Sequence, residues 1–365
     1  MITDNIEVTS VAHVQTVLGP VQPGEIGRVL HHEHLLSLTP GPWLAGGRAW
    51  HHSSRSCGDL SDKENAKDQV QRAVEALSGL ASLGIDTVVD LSPYGVVGRH
   101  DDGANVTLLQ EISRRSGVHV VSGTAVYLEP FSPEWTLTAS LDEITERFIA
   151  DATTGIGSTS VRAGVLGEQA TGLDVITAHE EKCLRAAARA HRATGLSLVT
   201  HTTHGTMAHE QVAILREEAA DLNRIVIGHL DTHPDTGYVR EVLQTGVNIA
   251  FDTVGKQFWD FRITPMPNHP PEGEFSKQAY HRADHTRARR AAELVAEGYE
   301  DQILLSQDLT GSEVYLNPTT HGQWGYSYLG APFAALLRRH GVTSMQLEMM
   351  LHTNPLRLLT IGSPA

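Results

Sequence analysis

The sequence predicts a (β/α)8 TIM barrel with elaborated loops on its catalytic face, and three observations carry that expectation. Aliphatic and β-branched runs alternate with segments of helical periodicity along the 365-residue chain. Several helical segments close on a glycine, which accepts the left-handed conformation common at helix C-termini. Eight strand–loop–helix units can be counted, which favours a closed parallel barrel over an open sheet. The competing doubly wound sheet lacks its mark, since no strand leads into a GxGxxG turn. No linker or tandem motif repeat divides the units, so residues 1–365 read as one domain.

Strands are expected near 27–32, 86–91, 119–124, 162–168, 197–202, 225–230, 248–252 and 303–308. Helices are expected near 64–83, 103–116, 140–150, 174–194, 209–220, 235–245, 281–298 and 331–340. Gly84, Gly117, Gly195 and Gly298 each follow one of these helical segments. The connections 35–63, 125–139, 253–280 and 309–330 are long and follow strands, so they emerge on the face where barrels carry chemistry. Loops of that length are uncommon unless they form lids or binding walls.

Composition excludes several functions. Hydrophobic residues at 40% and charged residues at 19% fit neither a disordered chain nor a bilayer-spanning one. A formal charge of −15, with no basic stripe, argues against binding nucleic acid or a membrane surface. Met1–Pro20 lacks the basic start and apolar block of a secretory signal, which makes a cytoplasmic location the expectation. Cys57 and Cys183 are too few for a disulfide framework and are expected to be ordinary thiols. With 21 histidines in the chain, only their positions carry information.

Those positions are telling. His32 and His34 alternate at the end of the first strand, so both point the same way. Glu168, His201, His229 and Asp308 each end a later apolar run. Four imidazoles and two carboxylates thus gather on one barrel rim, a donor set suited to zinc and also to manganese or cobalt. Two cations about 3.5–4 Å apart need a shared anionic ligand. Glu168, near the middle of the strand order, suits that bridge, with His32, His34 and Asp308 completing one site and His201 and His229 the other. Water bridging two such ions becomes a hydroxide nucleophile, and Asp308 is placed to take its proton. The expected chemistry is hydrolysis without an organic cofactor. A one-metal deaminase-like enzyme and a metal-stabilised binding protein are the alternatives.

These residues resemble the phosphotriesterase-related proteins of the amidohydrolase superfamily. The likeness runs from about Gly24 to Leu359, which sets the expected barrel core at 24–359. It rests on His32–Leu35, Arg162–Glu168, Val199–Thr202, Ile227–His229, Leu304–Asp308 and Asn354–Pro355. It implies a binuclear metal hydrolase in which His32, His34 and Asp308 surround the more buried ion. Many members bridge their ions with a carbamylated lysine, but all five lysines here lie outside 162–168. Gly167 stands at the lysine's place, and adjacent Glu168 resembles the bridging carboxylate of the glutamate-containing branch. A bend or bulge near Gly164 and Gly167 would aim it inward. The resemblance favours carboxylic-ester or lactone hydrolysis, with phosphoester or organophosphate hydrolysis as runner-up, and implies a homodimer.

Substrate contacts are sought on the long loops. Lys256 and Arg99 follow the seventh and second strands and are candidates to face a carboxylate or phosphate. Trp43, Tyr127, Phe131, Trp135, Phe258, Trp259 and Trp324 are candidate wall residues, though core or lid packing is commoner for any one aromatic. His233 and His269 are weaker candidates at the entrance.

Overall fold

A computed structural model describes residues 12–37, 63–256, 259–263, 277–281, 283–310, 314 and 325–362. Its thirteen strands are β1 His13–Thr16, β2 Gly19–Val21, β3 Arg28–Glu33, β4 Ile85–Asp90, β5 His119–Thr124, β6 Val165–Thr171, β7 Leu198–Thr202, β8 Ile225–Ile227, β9 Asn248–Phe251, β10 Trp259–Ile263, β11 Lys277–His281, β12 Ile303–Leu305 and β13 Thr360–Ile361. Eight of them form one parallel sheet in the order β3, β4, β5, β6, β7, β8, β9, β12. The sheet curls until its ends meet. Asp308 N donates to His32 O at 2.9 Å, His34 N donates to Leu309 O at 3.0 Å, and His34 bridges Thr310 in parallel. The fold is the predicted (β/α)8 barrel.

Strand alternation builds two cores. Val29, Val89, Val121, Val165, Val199, Val226, Ala250 and Leu304 supply one residue per barrel strand to a packed interior. Their neighbours Leu30, Val88, Val120, Leu166, Leu198, Ile225, Ile249 and Ile303 point outward to the helices. Val14 and Ile26 from the N-terminal segment, with Leu358 and Leu359 from the last helix, join the inner cluster.

Two ladders slip, and both slips matter to the site. The β3–β4 register shifts between Leu30 and Glu33, and the β6–β7 register shifts between Leu166 and Gln169. With a period of two, Val29 inward would put positions 31 and 33 inward; the first shift brings His32 and His34 round instead. The second does the same for Glu168, as the bulge expectation required. A Cβ on Gly167 would lie 2.8 Å from Val199 Cβ and 2.9 Å from Val199 O, so no side chain fits where the resemblance places a lysine.

The predicted helices are present with trimmed ends. Lys63–Leu77 is followed by a separate 3-10 turn, Leu80–Leu83, before left-handed Gly84. The helix expected from residue 174 begins at Ala178, where the Thr177 side chain accepts from Glu180 N, and stops at left-handed Gly195 as predicted. Elements beyond those expected are also present, among them the helix Glu134–Thr138 inside the connection 125–139. The β1–β2 hairpin pairs with β13, antiparallel β10 and β11 interrupt the connection expected as loop 253–280, and Ser344–Glu348 and Asn354–Leu359 are helical. Among the described residues no helix is long and apolar enough to cross a membrane.

Candidate metal centre

The ends of five barrel strands bring the six predicted ligands together. Donor atoms of His32, His34 and Asp308 lie within 4.8 Å of one another, and so do those of Glu168, His201 and His229. Glu168 joins the two groups. Its Oε1 is 3.4 Å from His34 Nε2, and its Oε2 is 3.4 Å from His32 Nε2, 3.0 Å from His201 Nδ1 and 3.5 Å from His229 Nε2. One carboxylate therefore reaches histidines of both groups, as a bridge between two ions must. Asp308 Oδ1 faces His34 Nε2 at 3.0 Å and His32 Nε2 at 3.6 Å.

Backbone shape helps to aim these groups. His229 and Asp308 take left-handed conformations, with φ of 60° and 51°, at the points where their strands give way to loops. Gly228, before His229, sits so close to β7 that a Cβ would lie 2.3 Å from Thr200 O.

Asp252 was not singled out as a site residue, yet it organises both groups. Its Oδ2 is 2.8 Å from His32 Nδ1, and its Oδ1 accepts from His229 N and faces His229 Nδ1, each at 2.9 Å. With both Nδ1 atoms donating to this carboxylate, each ring presents its Nε2 lone pair inward. A sequence signal exists: Asp252 is a carboxylate directly after the apolar run Asn248–Phe251, at the end of β9. Ser92 Oγ holds His34 Nδ1 at 3.2 Å.

Electrostatics test whether cations fit. Burial opposes charge on His32, but Glu168 and Asp252 hold its pKa well above the ordinary value. Against the same burial, Asp308 and Glu168 lift His34 to about 9, and Asp252 lifts His229 to about 10. His201 moves down because burial outweighs Glu168. Asp308 remains well below the usual carboxylate range despite burial, chiefly through Lys256 and His34. Carboxylates thus set a field that demands positive charge, and buried His32 Nε2 has no hydrogen-bond partner. The donor set fits a binuclear divalent-metal centre.

The remaining candidates divide. Lys256 reaches the centre, with Nζ 2.6 Å from Asp308 Oδ2, and lines a cleft shared with His201, Thr203, His204, His229 and Asp308. Tyr127 packs edge-on to His201 at a centroid distance of 5.0 Å, its hydroxyl 3.5 Å from His201 Nε2, and lines an adjoining pocket with Val97 and Glu168. Arg99 is a correction: it turns away from the clefts. Gly98, at φ 90°, lies too close to Leu36 for any Cβ, and the turn carries Arg99 inward. There its guanidinium is 3.3 Å from Asp90 Oδ1 and donates to Ser122 Oγ and Gly123 O. Trp135 packs against Tyr94 and donates to Asp101 O, Phe131 backs Tyr127, and His233 stacks on Tyr238. Trp324, Trp43, Phe258 and His269 lie outside the described residues, and for Trp259 only the backbone of β10 is described.

Known proteins resemble this chain in sequence and in fold. An N-acetyltaurine hydrolase of Rattus norvegicus is 27% identical over 362 residues, covering 95% of this chain and 97% of its own. The organophosphorus hydrolase of Deinococcus radiodurans superposes with a TM-score of 0.77 at 30% identity, covering 95% of this chain and 96% of that one. A structure from the engineering of organophosphate hydrolysis on a weak promiscuous lactonase template gives a TM-score of 0.76 at 29% identity, covering 95% and 99%. The pattern of the Phosphotriesterase family matches residues 12–359. With that match over nearly the whole chain, and Glu168 set to bridge its two histidine groups, the protein belongs to the Phosphotriesterase family.

Proposed function

We propose that this binuclear metal-dependent hydrolase cleaves a small phosphoester, with carboxylic-ester or lactone hydrolysis as the second reading. This reverses the order drawn from the sequence. The observation that carries it is Lys256, a buried ammonium on the cleft wall beside Asp308, where a phosphoryl oxygen would meet positive charge. The organophosphorus hydrolase among the similar structures supports the same order, and the lactonase template keeps the second reading open.

In this reading His32, His34 and Asp308 would hold one ion and His201 and His229 the other, with Glu168 available to both. Zinc suits these ligands best, with manganese or cobalt able to replace it. Two such ions, when bound, acidify water and polarise the oxygen of the scissile bond. Asp308, kept ionised by Lys256, accepts the proton released by the attacking water and returns it to the leaving oxygen. Lys256 binds the anionic oxygen of the substrate, and Tyr127 with Val97 forms an apolar side of the pocket.

A panel of phosphoesters, organophosphates, lactones, acylated sugars and simple esters tests this on metal-replete protein beside Asp308→Asn. Phosphoester turnover that is lost in the variant is expected. Turnover confined to lactones or carboxylic esters would reverse the order again.

A further inference from the structure

Between His32 and His34, at the end of β3, lies a carboxylate that is not among the metal donors. Glu33 is fully buried, and the β3 register shift turns it away from the metal donors toward the seam where β3 meets the extension of β12. There it takes two backbone donors. Gln307 N donates to Oε1 at 3.0 Å and Leu309 N donates to Oε2 at 2.7 Å. The Ser306 hydroxyl also donates to Oε1, at 2.8 Å, while accepting from His32 N at 2.9 Å.

The two amides flank Asp308, whose own N–H donates to His32 O at 2.9 Å. Three successive amides, of Gln307, Asp308 and Leu309, therefore end on residues 32 and 33. Asp308 sits in the middle of this wrap at φ 51°, a conformation uncommon outside glycine, though aspartate adopts it more readily than most residues. Beside the backbone bonds that close the seam at Asp308 and His34, the Glu33 carboxylate takes the amides on either side of Asp308.

We infer that Glu33 is a positioning residue for the metal centre: it clamps both amides beside Asp308 and so holds that carboxylate in register with His32 and His34. The inference rests on the binuclear reading. It singles out one ion, the one those three residues would hold, and leaves the His201–His229 side untouched.

Glutamine in place of Glu33 keeps the size but sets an amide NH2 against the N–H of Leu309 or of Gln307, which opens one arm of the clamp. The test compares wild type, Glu33→Gln and Ser306→Ala, each loaded with zinc and titrated with a chelator while metal content and melting temperature are followed. In Glu33→Gln one of two ions is expected to leave at chelator concentrations about tenfold or more lower, the other leaving as in wild type. Ser306→Ala keeps both amide arms and should retain both ions. Cobalt-loaded Glu33→Gln should lose the absorption of one site only. Glu33→Gln holding both ions as tightly as wild type would overturn the assignment. So would parallel loss of both ions with a fall in melting temperature, the mark of a general structural role. Wild type retaining fewer than two ions would instead sink the binuclear reading itself.

Discussion

Lys256 and Asp308 form a buried ion pair, Nζ to Oδ2 at 2.6 Å, at the edge of the metal centre. The pair separates the duties of the Asp308 oxygens, since Oδ1 is left facing His34 and His32. Lys256→Met should therefore lower kcat/KM by about tenfold or more on the substrate found. Because Lys256 helps to hold the Asp308 carboxyl low, the acidic limb of the pH–rate profile should move to higher pH. An unchanged profile and rate would remove Lys256 from the machinery.

Asp252 holds a histidine of each metal group through opposite oxygens, so one substitution should disturb both. Asparagine can accept from only one of the two Nδ1–H groups. The other histidine must then flip its tautomer and direct N–H toward the metal. Asp252→Asn should weaken metal retention by roughly 10–100-fold, read by chelator competition. Loss confined to one ion would contradict the shared anchoring.

Gly167 is required for space. Its missing Cβ would meet Val199 at 2.8 Å, beside a backbone carbonyl that cannot swing aside. Gly167→Ala should cost roughly 1–3 kcal/mol of stability by denaturant titration. A neutral result would show that β6 and β7 part easily here.

Far from the metal centre, His191 gives a pH signature. Its Nδ1 donates to Leu196 O at 2.6 Å and its Nε2 accepts from Asp221 N at 3.1 Å, which needs a neutral ring. Burial lowers its pKa in the fold, with Arg224 adding to the effect against the pull of the Leu196 carbonyl. Above about pH 6.5 both folded and unfolded chains hold the ring neutral and stability is complete. As pH falls through that value the unfolded chain gains a proton that the fold refuses, and stability declines toward the folded pKa. His191→Gln should flatten this decline by up to about one proton, measured as the pH slope of the unfolding free energy between pH 5 and 7.

Much of the barrel was legible because local rules govern it. Gly195 marks a helix end through its own backbone freedom, and the valine-rich runs repeat at a period the eye can follow, whereas the cap at Thr177 sets the helix start four residues later than expected. The gathering of the six candidate donors was legible because each ends an apolar run. Asp252 carries the same mark, since it directly follows the apolar run of β9. The β10–β11 hairpin is less legible: Trp259–Ile263 does alternate apolar and polar residues, but its partner Lys277–His281 does not, and the pairing spans a long connection.

The sequence by itself determined the order of the eight barrel strands with their main helices and the donor types at the rim, since periodicity and residue chemistry are local properties. Tertiary structure decided which way those donors face. Two register shifts turn His32, His34 and Glu168 inward, and a tight turn at Gly98 sends Arg99 toward Asp90 instead of the cleft. The closing seam brings Glu33 to amides some 274 residues away. A one-residue slip reverses a strand's faces, and only the neighbouring strand fixes whether that slip occurs.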